Sequence, residues 1–388
     1  SRSFSITVQN DAPSNHFNTV LYTGNQSARS IAVGFEPGFT WIKERNDTDA
    51  HFLQDSVRGS TYTLYSNNTA AQFNETQAVT SFTSTGFNLG TYTGTNTTNN
   101  TYVAWNFKAG GAAVANTDGS INSQVSVNNT LGFSIVKYTG NNTAGATVAH
   151  GMDAVPELII WKGLTSVSGW KVYCNQFTSP TTQVVELQDA AAVSTNTVFI
   201  NGTAPGTSLI TLGAYGDTNG SGQDIVTYNF TSKPGFSKVG SYTGNGTSQS
   251  ISTGFEVGFV LIKSTTSSQG WMMYDSTRGG NKYLEANSAA AEGTTASNLV
   301  NFYSNGFGVT NSNSENQSGQ TYLYLAIAAD GSTATPSLAN SFAPEIYTGN
   351  GGTQSVTTGF APDFTWIKSR SNGTWHCVAD TVRGNLSR

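Results

Sequence analysis

At 388 residues the chain has room for about two to four domains of ordinary size, each able to bury a core of its own. Charged residues make up only 11% of it, 18 basic against 23 acidic for a net charge of −5, which excludes the basic footprint of a nucleic-acid binder. No run reaches the roughly 18 to 20 apolar residues needed to span a bilayer. Cys174 and Cys377 fall at non-equivalent positions, so no repeat-wise disulfide framework exists. Glycine numbers 42, Ser, Thr and Asn abound, and Lys, Glu and Leu are few; this predicts many short strands joined by polar turns.

In chain order, Phe4-Ser5-Ile6-Thr7-Val8 alternates like a strand and is stopped by Asp11-Ala12-Pro13-Ser14. Residues 1–21 thus read as a lead-in strand or connector. Tyr22-Thr23-Gly24-Asn25 follows, then Ser30-Ile31-Ala32-Val33, a glycine-proline loop, and the apolar run Phe39-Thr40-Trp41-Ile42-Lys43. That run places Phe39 and Trp41 on one face and Ile42 on the other, as a central strand covered twice requires. His51 to Asp55 and Arg58 come next. The stretch then passes through Tyr65-Ser66-Asn67 and Ser81 to Phe87 to close on Thr101 to Phe107.

The same text returns at Tyr138, Tyr242 and Tyr347, after spacings of 116, 104 and 105 residues. Tyr22 to Lys43, Tyr242 to Lys263 and Tyr347 to Lys368 are each 21 residues apart, while Tyr138 to Lys162 is 24. From Lys43, Lys263 and Lys368 it is 12 residues to Asp55, Asp275 and Asp380, with Arg58, Arg278 and Arg383 three further on. A period of this size suits whole small domains rather than a solenoid. The expected fold is all-β, a tandem of antiparallel β-sandwich modules. The expected boundaries are 22–108 for the first module, a Gly/Ala/Ser/Asn-rich linker at 109–132, 133–232 for the second, 233–330 for the third, and the first half of a fourth at 331–388. Both ends of the sequence read as cut, as if from a longer protein.

The Asp-x-x-Arg text reads as a strand-end ion pair fixing a turn, because a catalytic pair has no need of a copy in every module. The second copy has Cys174-Asn175-Gln176-Phe177 there instead. Eight residues after each lysine stands a ring, His51, Trp170, Trp271 or His376, and exchange of His with Trp at one place points to packing rather than to proton transfer or metal ligation. His376-Cys377 lacks a third orienting group for a nucleophile. Asp217-Thr218-Asn219-Gly220-Ser221-Gly222 imitates the start of a calcium loop, but Tyr228 occupies the twelfth position where a bidentate Glu is needed. No catalytic residue, metal ligand or cofactor is expected.

The text Leu21-Tyr22-Thr23-Gly24-Asn25, Gly34 to Lys43 and Asp55-Ser56-Val57-Arg58-Gly59, with Asn116-Thr117-Asp118-Gly119-Ser120-Ile121 and Gly132 to Asn141, resembles repeat modules of tailed-phage virion proteins, marine phages especially. The resemblance implies lectin-like, jelly-roll or concanavalin-like sandwiches in a tail fibre, head fibre or capsid decoration on the virion exterior. It brings no catalytic residues. A homo-oligomer is expected, with other virion proteins as partners and host-surface glycans as weak multivalent ligands. A cellular surface adhesin or filament subunit of the same modules is the alternative.

Overall fold

The computed structural model describes residues 11–310, 313–329, 343–358 and 361–383. In the first module these residues form β1 (Phe17–Thr23), β2 (Arg29–Ala32), β3 (Phe39–Glu44), β4 (His51–Asp55), β5 (Gly59–Tyr65), β6 (Phe73–Asn74), β7 (Val79–Thr83), β8 (Gly86–Leu89) and β9 (Thr101–Phe107). The second holds β10 (Val114–Asn116), β11 (Ser123–Asn128), β12 (Phe133–Thr139), β13 (Ala146–Ala149), β14 (Leu158–Gly163), β15 (Lys171–Cys174), β16 (Gln183–Glu186), β17 (Ser194–Thr195), β18 (Leu209–Leu212) and β19 (Asp224–Phe230). The third holds β20 (Ser237–Thr243), β21 (Gln249–Ser252), β22 (Val257–Ser264), β23 (Met272–Asp275), β24 (Lys282–Glu285), β25 (Gly293–Thr294), β26 (Val300–Tyr303), β27 (Gly306–Val309) and β28 (Thr321–Ala328). Helix among the described residues is confined to single turns such as Thr93–Asn96 and Gly216–Asn219.

The fold is all-β, built from tandem antiparallel sandwiches. In the first module a six-stranded sheet of order β1-β9-β3-β4-β5-β6 packs against a three-stranded sheet β2-β8-β7. The third module repeats this as β20-β28-β22-β23-β24-β25 against β21-β27-β26. In the second, β13 and β18 form the small sheet. The tight hairpin β7–β8 pairs Thr83 with Gly86, and β26–β27 pairs Tyr303 with Gly306. Glycine is required at both places, since an added Cβ would lie 1.9 Å from the Ile31 carbonyl oxygen and 2.0 Å from that of Ile251.

Period-2 alternation gives each large sheet two apolar faces. On one face Ile42, Phe52, Tyr102 and Ala104 close over Ile31, Val79 and Phe87 of the small sheet, a core belonging to the first module alone. The other face carries Phe39, Trp41, Leu53, Val103, Trp105 and Phe107, and it joins a single cluster with Ile135, Ile160, Tyr228 and Phe230 of the second module and Phe259, Leu261, Leu325 and Ile327 of the third. A small apolar cavity of about 20 Å³ is lined from all three modules, Trp41, Ile160 and Leu261 among its walls. The three large sheets therefore face one another around a shared core.

The linker expected at 109–132 is instead part of a sheet. Strands β10 and β11 add to β12, giving the second module an eight-stranded sheet. Ile121 and Val125 pack in its outer core. The first module likewise begins before Tyr22, because all seven residues of β1 pair with β9. The lead-in text Phe4 to Val8 and the junction at 330–336 lie outside the described residues.

The described residues divide into two compact units, one holding the first three copies and the other the fourth. In the fourth copy β29 (Phe364–Ile367) and β30 (Cys377–Asp380) pair Phe364 with Asp380 and Trp366 with Val378, the same ladder that pairs Phe39 with Asp55 and Trp41 with Leu53. Its strand faces are open: Phe364 is 57% and Trp366 65% exposed.

Candidate functional site

Many of the recurring residues of the first three copies converge on three seams between modules. Each module contributes an alanine loop, Asn68-Thr69-Ala70-Ala71-Gln72, Asp189-Ala190-Ala191-Ala192-Val193 or Ser288-Ala289-Ala290-Ala291-Glu292. At the end of each loop one backbone amide donates to a neighbouring module's carbonyl: Gln72 to Leu164 at 3.1 Å, Val193 to Thr265 at 3.1 Å, and Glu292 to Arg45 at 2.7 Å. The second module thus docks on the first, the third on the second, and the first on the third, closing a ring.

The rings eight residues after the lysines supply an N–H to the same seams. Trp170 Nε1 donates to Tyr65 O at 2.9 Å and Trp271 Nε1 to Glu186 O at 2.8 Å. His51 Nδ1 accepts from Trp41 Nε1 at 2.8 Å, so its Nε2 carries the hydrogen and donates to Glu285 O at 3.0 Å. Burial pushes the His51 imidazole down to about 3, which keeps it neutral. His and Trp are interchangeable here because both present a ring N–H, a requirement that a reading of these positions as packing alone misses.

Lys162 Nζ donates to Thr69 O at 3.0 Å and Lys263 Nζ to Ala190 O at 2.9 Å, again across seams. Lys43 stays within its own module, on Glu44 O at 2.6 Å. All three lysines are buried, and desolvation lowers each to about 8. In the fourth copy Lys368 bonds Thr374 O at 2.7 Å in the open.

The ion pairs sit deepest. Asp55 Oδ2 and Arg58 Nε are 2.5 Å apart, Asp275 Oδ2 and Arg278 Nε 2.6 Å, and all four side chains are fully buried. Arg58 also donates to Leu53 O and Arg278 to Met273 O, each at 3.0 Å, so the fork fixes its own strand end. A neighbouring module then supplies a further donor: Tyr228 OH to Asp55 Oδ2 at 2.7 Å, and Trp105 Nε1 to Asp275 Oδ2 at 3.0 Å. Arg278 lies 5.2 Å from the centre of the Trp105 ring. In the fourth copy Arg383 and Asp380 make the same 2.6 Å pair, with Arg383 56% exposed. A second ionic clasp closes the first module on the third, Arg45 gripping Glu292 with two 2.9 Å bonds while Arg278 adds one at 3.1 Å. Burial alone would raise the Glu292 carboxyl; the two guanidinium groups hold it below its ordinary value.

The repeat tyrosines lie away from the seams. Tyr22, Tyr138 and Tyr242 donate to Thr95, Thr218 and Glu315 carbonyls at 2.7, 2.5 and 2.7 Å, tying each large sheet to the loop before its last strand. Tyr22 stacks on Tyr102 and Tyr242 on Tyr322, with centroids 5.0 Å apart in both pairs. Tyr347 is 45% exposed. Asp217 of the calcium-like stretch accepts from Ser168 Oγ at 2.8 Å and pairs with Lys171 at 3.3 Å. Among the described residues no group of three or more His, Cys, Asp or Glu is placed to hold a metal ion, and no helix is long and apolar enough to cross a membrane.

These features define a class: a multi-module all-β protein whose recurrent polar groups join its modules or fix strand ends and loops within them. The chain belongs to the family described as Domain of unknown function (DUF7483), whose model matches residues 12–330 and again 338–388. The second match restarts first-module text, since Trp41, His51, Asp55 and Arg58 recur 325 residues later as Trp366, His376, Asp380 and Arg383. Comparison with curated proteins and with solved structures finds no match.

Proposed function

We propose that the chain is a non-enzymatic structural component of a virion exterior, a tail fibre, head fibre or capsid decoration, in which the three-module body acts as a rigid spacer. The observation that supports this reading is the use made of the recurrent groups. His51, Trp170, Trp271, Lys162, Lys263 and both buried ion pairs hold one module to the next or fix a strand end at the junction. Such a body resists shear and proteolysis because opening any module exposes the core of all three. Its low charge and many hydroxyl and amide side chains suit a solvated outer surface making weak multivalent contact with host glycans, with other virion proteins and further copies of the chain as its partners.

The open β29–β30 pair with its exposed Phe364 and Trp366 favours a second reading, a cell-surface adhesin or filament subunit joined through that pair. Immunogold labelling of purified particles and of the cells that encode the chain separates the two. Label on particles at fixed sites supports the virion role. Label on cell-borne filaments and none on particles refutes it.

A further inference from the structure

The three seams are alike in geometry but not in chemistry, and the differences are matched across each seam. Trp105, Tyr228 and Leu325 occupy the same place in β9, β19 and β28, each paired with the strand that carries the central apolar run, opposite Trp41, Ile160 and Leu261. Asp55, Cys174 and Asp275 likewise share a place, opposite Phe39, Leu158 and Phe259. Tyr228 of the second module meets Asp55 of the first, and Trp105 of the first meets Asp275 of the third. By the same cyclic order Leu325 of the third module is the counterpart of the Cys174 site of the second, and both are members of the shared core. Where the site is Asp with Arg, the facing residue has a hydrogen to donate. Where it is Cys with Phe177, the facing residue has none.

We propose that this facing residue is the specificity determinant of module self-recognition, a donor being accepted only over an Asp–Arg site and an aliphatic side chain only over a Cys–Phe site. The physical basis is the asymmetry of buried polar groups. A fully buried carboxylate that loses a donor, or an indole N–H set against sulfur and a phenyl ring, incurs a desolvation penalty that no water relieves. In the reverse order Tyr228 would still find a carboxylate at Asp275, but Leu325 would face Asp55 and Trp105 would face Cys174, so only one cyclic order of the three modules satisfies every seam.

The test converts the Trp105 seam, in the full chain, to the chemistry of the Leu325 seam. Trp105→Leu alone and Asp275→Cys with Arg278→Phe alone are mismatched; combined they are matched. Each mismatched variant is expected to lower the denaturation midpoint, and the combination to recover more than half of the summed loss. A combined loss equal to or above that sum overturns the proposal. Should the mismatched variants fail to fold, Tyr228→Phe removes one oxygen and keeps the ring. It is expected to raise amide exchange at Leu53 to Arg58 at least about tenfold, the effect of 1.4 kcal/mol, within the range for one buried donor, while exchange at Cys174 to Phe177 holds. Unchanged exchange at Leu53 to Arg58 overturns the proposal as well.

Discussion

Trp41 and Trp366 allow the worth of the shared core to be measured against an internal control. Both stand in the same text 325 residues apart, both are the third residue of a paired strand, and both donate Nε1 to a histidine Nδ1 at 2.8 Å. They differ in cover: Trp41 is 5% exposed within the cluster built from three modules, Trp366 65%. A tryptophan side chain buries about 150–250 Å², which at roughly 25 cal/mol per Å² is about 4–6 kcal/mol as an upper bound. Measured truncations of large aromatics in cores run at about 3–5 kcal/mol. Loss of the donor to the buried His51 Nδ1 adds about 1 kcal/mol. Trp41→Ala is therefore expected to destabilise the three-module body by about 4 kcal/mol, and Trp366→Ala by less than about 1 kcal/mol. Guanidinium unfolding followed by far-UV circular dichroism reads both from the midpoint and slope. Losses for the two variants within 1 kcal/mol of each other would refute the claim that the core shared between modules, rather than the local strand pair, supplies the stability.

The three buried repeat lysines make stability depend on pH in an uncommon direction. Their folded values near 8 lie below the unfolded 10.5, so between these limits the unfolded chain binds more protons and stability rises with pH, on the order of 2–3 kcal/mol per lysine between pH 7 and 10. Above pH 10 the buried tyrosines, among them Tyr22, Tyr228 and Tyr274, all held well above their ordinary value by burial, reverse the trend because only the unfolded chain ionises them. Urea midpoints measured from pH 7 to 11 should pass through a maximum near pH 10, and a monotonic fall from pH 7 would contradict the burial of the lysines. The two thiols should separate cleanly: Cys377 is exposed, whereas burial pushes Cys174 up to about 12, so a thiol reagent at pH 8 should modify one cysteine in the native chain and both after denaturation.

Much of the local structure was legible. The alternation in Phe39 to Ile42 assigned two buried faces, and the structure gives Ile42 to the first module's own core and Phe39 and Trp41 to the shared one. What covers the second face was not legible, because periodicity states that a face is apolar and is silent about its neighbour. The Asp-x-x-Arg spacing is visible in the text, but the facing donors Tyr228 and Trp105 lie 173 and 170 residues away and leave no local trace. The alanine loops could have been found. Thr69 and Ala289 each follow their arginine by 11 residues, and a solvent-facing loop has no reason to hold that register. The strand β11 was concealed by composition: Val125 and Val127 alternate with polar residues inside a glycine- and asparagine-rich stretch, so two apolar positions had to outweigh some twenty polar or small ones.

If the outer core of each module is private and the inner one common, the module is not the unit of folding, and cutting the chain between modules should not separate them. Gly111 and Ala112 are exposed between β9 and β10, and a Cβ at Gly111 would meet nothing within 4 Å, so the loop has room for an insertion there. A protease site placed there leaves the first module on one fragment and the second and third on the other. The fragments remain joined by the Tyr228–Asp55 and Trp105–Asp275 bonds, the Arg45–Glu292 clasp and the common cluster. Removing the first module from that cluster would expose Phe17, Phe39, Trp41, Leu53, Trp105 and Phe107 together, and six large side chains at about 1.5–3 kcal/mol each, about 9–18 kcal/mol in all, offset the roughly 4–15 kcal/mol cost of holding two unlinked fragments together. The cleaved protein should therefore elute from size exclusion as one species of unchanged volume and unfold in one transition. Two separately eluting fragments, each with native circular dichroism, would show that the modules are independent bodies on a string.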